Sequence, residues 1–189
     1  MPFSVTDDVS FPISLYATTK KTNELMAYTY SHLYGVPATG LRFFTVYGPW
    51  GRPDMAYFKF TYNILNDIPI KIYNHGNMKR DFTYVDDIVA GIELVLEKSP
   101  MSNASGDCYK LYNLGKGHPE KIMDFVTILE KILGKKAKKE YYPMQPGDVY
   151  QTYADIKDME QDFGFFASTT LENGLKKFVT WYKQYNQIQ

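Results

Sequence analysis

The apolar and polar positions of the chain follow two periods, and these predict helices separated by short strands. The 3.6-residue period predicts six helices, at 14–33, 55–65, 86–97, from Pro119 to a stop at Gly134, 156–163 and 171–185. Short apolar runs predict strands at 38–46, 70–73, 81–85, 109–114 and 137–141, with a turn at 74–77 and a polar loop at 99–107. This alternation indicates an α/β fold whose parallel strands are covered on both faces.

The order of these elements also predicts an incomplete sheet. The early part of the sequence has no strand, glycine loop and helix in succession, so we expect part of the sheet to precede residue 1. Without such strands, the strand at 38–46 would have an open apolar edge. An edge of this kind pairs readily with another copy or with a separately supplied chain.

Composition narrows the class of protein. The 189 residues are 44% hydrophobic, and 21 Lys and Arg balance 21 Asp and Glu, which predicts neither a nucleic-acid nor a membrane partner. A single cysteine, Cys108, and the absence of a signal-peptide pattern favour a reducing, cytoplasmic location. The basic stretch at 131–139 is interpreted as a solvated helix end. The three histidines lie far apart, so no metal site is expected.

Candidate chemistry begins with a Tyr-x-x-x-Lys pair, Tyr16 and Lys20. On a helix these positions share a face, and an ammonium beside a phenol favours the phenolate, a usable general base towards a sugar hydroxyl. The spacing alone is weak evidence, because Tyr112/Lys116 and Tyr153/Lys157 have it too. The surrounding sequence has to identify the pair that matters.

Four blocks occur in order along the chain: PISLYATTKKTNE at 12–24, LRFFTVYGP at 41–49, RDFTYVDD at 80–87 and PGD at 146–148. Together they resemble the extended short-chain dehydrogenase/reductases, in the family of NAD-dependent nucleotide-sugar epimerases and dehydratases. The segment GRPDM at 51–55 is most similar to UDP-glucuronate 4-epimerases. The resemblance covers nearly the whole chain.

The resemblance implies a fold and a division of the chain. The fold would be the C-terminal remainder of a Rossmann-like parallel sheet plus a small mixed α/β substrate-binding lobe. Residues 1–50 would form a partial Rossmann-like segment with the Tyr-x-x-x-Lys helix and the next strand. Residues 51–189 would form mainly the substrate lobe, with about 80–115 returning to the Rossmann-like core.

The resemblance also implies an activity at a tightly held NAD. Members of the family oxidise C4 of a UDP-sugar and return the hydride to the other face of the ring. Tyr16 would remove the C4 hydroxyl proton, and Lys20 would support the phenolate and bind the nicotinamide ribose. Phe43, Thr45 and Val46 would line the nicotinamide and the sugar.

Four further residues are expected, by the same resemblance, to hold the substrate. Arg80 would pair with the UDP phosphates, Asp148 would meet the ribose and Tyr73 would flank uracil. Arg52, with the Thr45 hydroxyl, could bind a C6 carboxylate bidentately, which favours UDP-glucuronate and UDP-galacturonate as the interconverted pair. A surface role remains open for Arg52. Arg42, in the strand, is expected to be buried and structural.

The family's Gly-x-x-Gly-x-x-Gly loop for NAD is not found, and Gly115-Lys116-Gly117 is interpreted as a plain strand-to-helix loop. The chain alone is therefore expected to be inactive, although UDP could still bind. Alternatives are a UDP-glucose 4-epimerase, a UDP-glucuronate decarboxylase, a sugar-nucleotide dehydratase or a non-catalytic nucleotide-sugar-binding fragment. The family commonly dimerises through the Tyr16 helix, which favours a homodimer.

Overall fold

The computed structural model describes residues 1–102 and 106–188, and within them helices pack against three small sheets. The helices are α1 (Leu15–Tyr34), α2 (Ala56–Leu65), α3 (Val85–Leu96), α4 (Ile122–Leu133), α5 (Lys157–Phe163) and α6 (Leu171–Tyr185). The strands are β1 (Ala38–Phe43), β2 (Thr45–Tyr47), β3 (Ile70–Ile72), β4 (Lys79–Tyr84), β5 (Tyr109–Leu114), β6 (Pro119–Lys121) and β7 (Lys139–Tyr141). Residues 103–105 of the predicted polar loop lie outside the described residues.

The sheets are mainly parallel, which confirms the predicted α/β class. β1 pairs with β5, and β3 pairs with β7, each in parallel register. The third sheet has the order β2-β4-β6, with β2 and β4 parallel and β6 antiparallel. Helical connections join the parallel strands, as this arrangement requires.

Apart from shifts of one or two residues at other ends, two predicted boundaries are wrong, and pairing between distant strands explains both. The strand predicted at 38–46 breaks at Phe44, because β1 pairs with β5 whereas β2 pairs with β4. Pro119 does not begin a helix but lies in β6, opposite Asp81, and α4 begins at Ile122. β6 is at the edge of its sheet, where a residue without a backbone N–H is tolerated.

Two clusters of buried side chains form the core. The larger lies among α2, α4, α6, β3 and β4, and includes the fully buried Phe125, Leu129, Leu175 and Phe178. The smaller joins α3, β5 and α5 around Leu114 and Met159.

Helix α1 is much more exposed than the other long helices. Its start is capped by Ser14, whose Oγ accepts from the Ala17 amide at 3.1 Å, and Gly35 ends it with φ +62°. Within α1 only Ser31 is buried, while Leu33 is 63% exposed. No helix in the described part of the chain is long and apolar enough to cross a membrane.

Candidate functional site

The first predicted pair is brought together on a helix. Tyr16 and Lys20 lie in the first turns of α1, with the Lys20 ammonium 5.4 Å from the centroid of the Tyr16 ring. The Tyr16 side chain is 70% exposed, so the phenol is accessible to a ligand. The competing pairs differ, because Tyr112 lies in β5 and Tyr153 in extended chain before α5. Of the three pairs, only Tyr16/Lys20 has the helical geometry that its proposed chemistry needs.

An ion pair fixes α1 against β1. The Arg42 guanidinium donates from Nε and Nη2 to the two Glu24 carboxylate oxygens, at 2.7 and 2.9 Å. These hydrogen bonds lower the pKa of Glu24. Both side chains are largely shielded, with exposures of 22% for Arg42 and 19% for Glu24, which agrees with the structural role predicted for Arg42.

Four of the five predicted substrate residues line one pocket. Thr45, Tyr73, Arg80 and Asp148 surround a cavity of about 190 Å³. The remaining walls come from side chains of α2, β3, β4 and α4 and from the residue before β4: Ala56, Phe60, Lys71, Ile72, Met78, Phe82 and Ile122. Residues distant in sequence therefore meet at one place, with apolar walls and one clear cation–anion pair.

That pair is Arg80 and Asp148. Arg80 Nη2 donates to Asp148 Oδ1 at 2.6 Å, and Nη1 donates to the carbonyl oxygens of Lys79 and Tyr150 at 2.9 and 3.3 Å. The Arg80 side chain is only 17% exposed. Backbone acceptors therefore hold the guanidinium in place at the pocket wall.

Arg52 is not among the residues that line this pocket. Its side chain is 75% exposed, with Nη2 3.3 Å from an Asp54 carboxylate oxygen and 3.7 Å from the Met55 sulfur. The preceding Gly51 lies directly on the Tyr57 ring, since a Cβ at position 51 would be 1.6 Å from the Tyr57 hydroxyl oxygen. A side chain at position 51 would therefore displace the Tyr57 ring.

The other two predicted cofactor residues occupy different environments. Phe43 ends β1 with a side chain that is 49% exposed and available for contact. Val46, in β2, is partly buried and packs on the smaller core cluster. Sequence alone could not separate the two, because the break at Phe44 changes which face each side chain occupies.

The residues present fit one end of NAD. A phenol and an ammonium on one accessible helix face can donate to a ribose and accompany a nicotinamide. The loop at residues 115–117 has its Lys116 and Gly117 amides directed at the Asp81 carboxylate, so these amides are not free for a pyrophosphate. The fit therefore concerns the nicotinamide riboside end.

Known proteins share extensive sequence with this chain. The model of the NAD dependent epimerase/dehydratase family matches residues 3–115. The chain belongs to this family. Protein CapI of Staphylococcus aureus is 55% identical over 97% of the chain and 58% of its own length. UDP-glucuronate 4-epimerase 1 of Arabidopsis thaliana is 50% identical over 98% of the chain and 46% of its own length.

A solved structure of the same family is also similar. UDP-glucuronic acid 4-epimerase from Bacillus cereus, in complex with UDP-glucuronic acid and NAD, superposes with a TM-score of 0.83 at 34% identity. The superposition covers 93% of the chain and 54% of that protein. The chain spans about half the length of the curated relatives it matches.

Sequence reasoning missed several residues of the site. Lys71 brings a second cation to the pocket, with its ammonium 5.6 Å from the centroid of the Tyr142 ring. Met78, 7% exposed, contributes to the wall. Its neighbours Arg80 and Phe82 in β4 gave the only available signal, since side chains two apart on a strand face the same way.

Proposed function

We propose that this chain is the C-terminal portion of an NAD-dependent UDP-sugar 4-epimerase that interconverts UDP-glucuronate and UDP-galacturonate. The single observation that carries the proposal is the pocket that gathers Thr45, Tyr73, Arg80 and Asp148. The family membership and the similarity to proteins named UDP-glucuronate 4-epimerase support the same reaction. With this function we propose the same division of the chain: residues 1–50 form a partial Rossmann-like segment. Residues 51–189 form mainly the substrate lobe, with about 80–115 returning to the Rossmann-like core.

In the proposed reaction, Tyr16 is the proton acceptor. Its phenolate takes the proton of the C4 hydroxyl as the C4 hydrogen leaves with its electron pair, and it returns that proton after the ring has turned. NAD, when bound, supplies the oxidising power by accepting and returning that hydrogen. Lys20 stabilises the phenolate and donates to the nicotinamide ribose. Phe43, Thr45 and Val46 form the surface beside the reacting sugar.

The nucleotide is held by the pocket walls. Arg80 has a preorganised guanidinium fork, which suits the charge and shape of a diphosphate. Asp148 accepts from ribose hydroxyls, and Tyr73 packs beside the uracil. The apolar part of the pocket, with Ile72 and Phe82, excludes water from the base.

Arg52 selects the uronate in this proposal. Its contact with Asp54 is exposed, and a surface ion pair of this kind contributes less than about 1 kcal/mol. The guanidinium can therefore leave Asp54 for a carboxylate on C6 of the sugar at small cost. Thr45, in the pocket wall, provides a hydroxyl for the same carboxylate.

Binding measurements on the full 189-residue chain test the proposal. We expect UDP to bind, and UDP-glucuronate to bind more tightly than UDP-glucose. Arg52→Ala should weaken UDP-glucuronate binding at least about tenfold, the loss expected for one charge-assisted contact, and leave UDP-glucose binding unchanged. Lys59→Ala, which removes an exposed cation of α2 outside the pocket, is the matched control.

The results discriminate among the alternatives. Equal losses of affinity for both sugars in Arg52→Ala would reject the carboxylate role. They would instead favour a UDP-glucose 4-epimerase. Absence of UDP binding would reject the nucleotide site. Turnover assays with added NAD then separate a binding fragment from an active site completed by association.

We also propose that the active form is a cytoplasmic homodimer packed through α1. Support comes from the exposed apolar side chains of that helix, among them Leu15, Met26 and Leu33, which are 81%, 56% and 63% exposed. Contiguous exposed apolar surface of this kind is typical of an interface. Analytical ultracentrifugation tests the assembly, and a monomer at micromolar concentration would contradict it.

A further inference from the structure

The loop that follows β5 binds an anion that belongs to the chain itself. The amides of Lys116 and Gly117 donate to Asp81 Oδ1 and Oδ2, each at 3.0 Å. Gly117 has φ +66°, the left-handed conformation that lets neighbouring amides point to one side. Successive amides arranged in this way bind phosphates in other proteins. Here the carboxylate of Asp81 takes the position that such an anion would have.

The Asp81 carboxylate is fully buried and saturated with donors. Its side chain accepts a third hydrogen bond, from the Ala154 amide at 3.0 Å, and its own amide donates to Thr152 Oγ1 at 3.0 Å. Burial raises the pKa of Asp81, and the amide hydrogen bonds oppose that change. A buried carboxylate is costly unless its oxygens are satisfied, so all four contacts hold each other in place.

These contacts belong to a regular series that attaches residues 148–154 to β4. Arg80 binds Asp148 at one end, and the Lys79 amide donates to the Tyr150 carbonyl at 3.0 Å. The Thr152 amide donates to the Lys79 carbonyl at 3.2 Å. Asp81, through Thr152 and Ala154, completes the series at its other end. Every second residue from 148 to 154 is therefore fixed to β4.

Side chains alternate in direction along β4, so the residues that line the pocket and the residue that anchors the 148–154 segment lie on opposite faces of the strand. Arg80 and Phe82 line the nucleotide pocket, whereas Asp81 lies between them and is not among the lining residues. The segment that carries Asp148 is exposed at Gly147 and Val149, so it has little packing of its own. Its placement depends on the hydrogen bonds to β4.

We propose that Asp81 is a positioning residue for the nucleotide site: by fixing residues 148–154 to β4 and to the loop after β5, it holds the Arg80–Asp148 pair ready for a nucleoside diphosphate. The inference rests on the proposed function and adds to it a determinant that never touches the ligand. Asp81 thereby links the diphosphate side of the pocket to the buried interior.

Two variants of the full chain test this role. Asp81→Asn keeps the shape but puts an NH₂ against an amide donor. Thr152→Val keeps the volume and removes only the acceptor for the Asp81 amide. The control, Asp162→Asn, alters a carboxylate that binds Lys110 and Tyr112 at 2.5 and 2.6 Å, away from this series.

The decisive measurement is the ratio of UDP to uridine affinity, obtained by NMR titration. This ratio isolates the diphosphate contribution, to which Arg80 would contribute directly. We expect Asp81→Asn to lower it about tenfold and Thr152→Val about threefold, as for a charge-assisted hydrogen bond lost in full or in part. Asp162→Asn should leave it unchanged. A merely structural role would weaken UDP and uridine equally, and an unchanged ratio in both variants would overturn the inference.

Hydrogen exchange of the ligand-free chain tests the attachment itself. We expect faster amide exchange at 116–117 and 148–154 in Thr152→Val, with protection elsewhere retained. Unchanged exchange in these segments would overturn the inference whatever the nucleotide results. If the unmodified chain binds neither UDP nor uridine, the proposed function fails. Normal binding with an unaltered ratio in the variants rejects the role of Asp81 alone.

Discussion

Glu130 offers the clearest quantitative test of how this fold is held together. It lies near the end of α4, and its side chain is only 4% exposed. One carboxylate oxygen accepts from Lys136 Nζ at 3.0 Å, and the other accepts from the Ala137 amide at 3.0 Å and from Lys139 Nζ. All three donors come from the segment that leaves α4 and forms β7. We expect Glu130→Gln to weaken this junction strongly.

The magnitude follows from the ionisation of Glu130. Burial raises its pKa, but the hydrogen bonds from Lys139, Lys136 and the Ala137 amide outweigh burial and lower it from 4.5 to about 2. At pH 7 that difference corresponds to about 3 kcal/mol of folding free energy. In a chain of this length the melting temperature should fall by about 9 °C.

The lowered pKa of Glu130 determines how its contribution to stability changes with pH. Because the folded-state pKa is below the unfolded-state value, the stabilisation is present above pH 4.5 and is lost as pH falls towards 2. The difference in unfolding free energy between the original chain and Glu130→Gln should therefore shrink over that interval. Urea titrations at pH 7, 5, 4 and 3 measure it.

A matched control separates the effect of burial from the effect of having two lysine partners. Glu172 also binds two lysines, Lys131 at 3.2 Å and Lys176 at 3.0 Å, but its side chain is 38% exposed. Glu172→Gln should destabilise the chain far less than Glu130→Gln, because exposed ion pairs contribute little to stability. Equal losses for the two variants, or a loss at Glu130 that does not change with pH, would refute the reasoning.

Two further outcomes are expected. In the intact enzyme with NAD, Tyr16→Phe should lower turnover at least about 100-fold without changing UDP affinity. The control, Tyr153→Phe, alters a pair with the same spacing and should retain activity. Retained turnover in Tyr16→Phe would remove that residue from the mechanism. Gly174→Ala places a Cβ 2.1 Å from the buried Tyr47 hydroxyl oxygen and should destabilise the chain by about 2 kcal/mol in urea titrations, although alanine normally favours a helix. Asn173→Ala, its exposed neighbour, is the control, and equal stability of the two variants would contradict the overpacking argument.

Local signals predicted the helices well because their ends are encoded nearby. α6 was predicted at its observed bounds, Leu171–Tyr185, and Gly134 ends α4 in the left-handed conformation with φ +65°. The errors arose where distant pairing decides the structure. Pro119 has the local character of a helix start, yet its antiparallel pairing with β4 makes it a strand residue. No short-range pattern carries that information.

The candidate site also combines residues that the sequence identifies with residues whose roles depend on distant contacts. The family resemblance selected Thr45, Tyr73, Arg80 and Asp148, and all four line one pocket. Asp81 lies within one of the motifs, but its role could not be predicted. Its carboxylate accepts hydrogen bonds from amides 35, 36 and 73 residues away. The one signal in the sequence was an acid within a strand, between Arg80 and Phe82.

Asp81 and Glu130 are buried carboxylates that stabilise the fold in the same physical way. Strands β2, β3, β6 and β7 have three residues each, and sheets of such short strands make too few hydrogen bonds to be stable alone. Asp81 and Glu130 supply fixed acceptors where loops join these strands. Glu130 anchors β7, which pairs with β3 just before Tyr73, and Asp81 anchors the segment that carries Asp148. Loss of Glu130 should therefore disturb the side of the pocket proposed for uracil, and loss of Asp81 the side proposed for the ribose and the diphosphate.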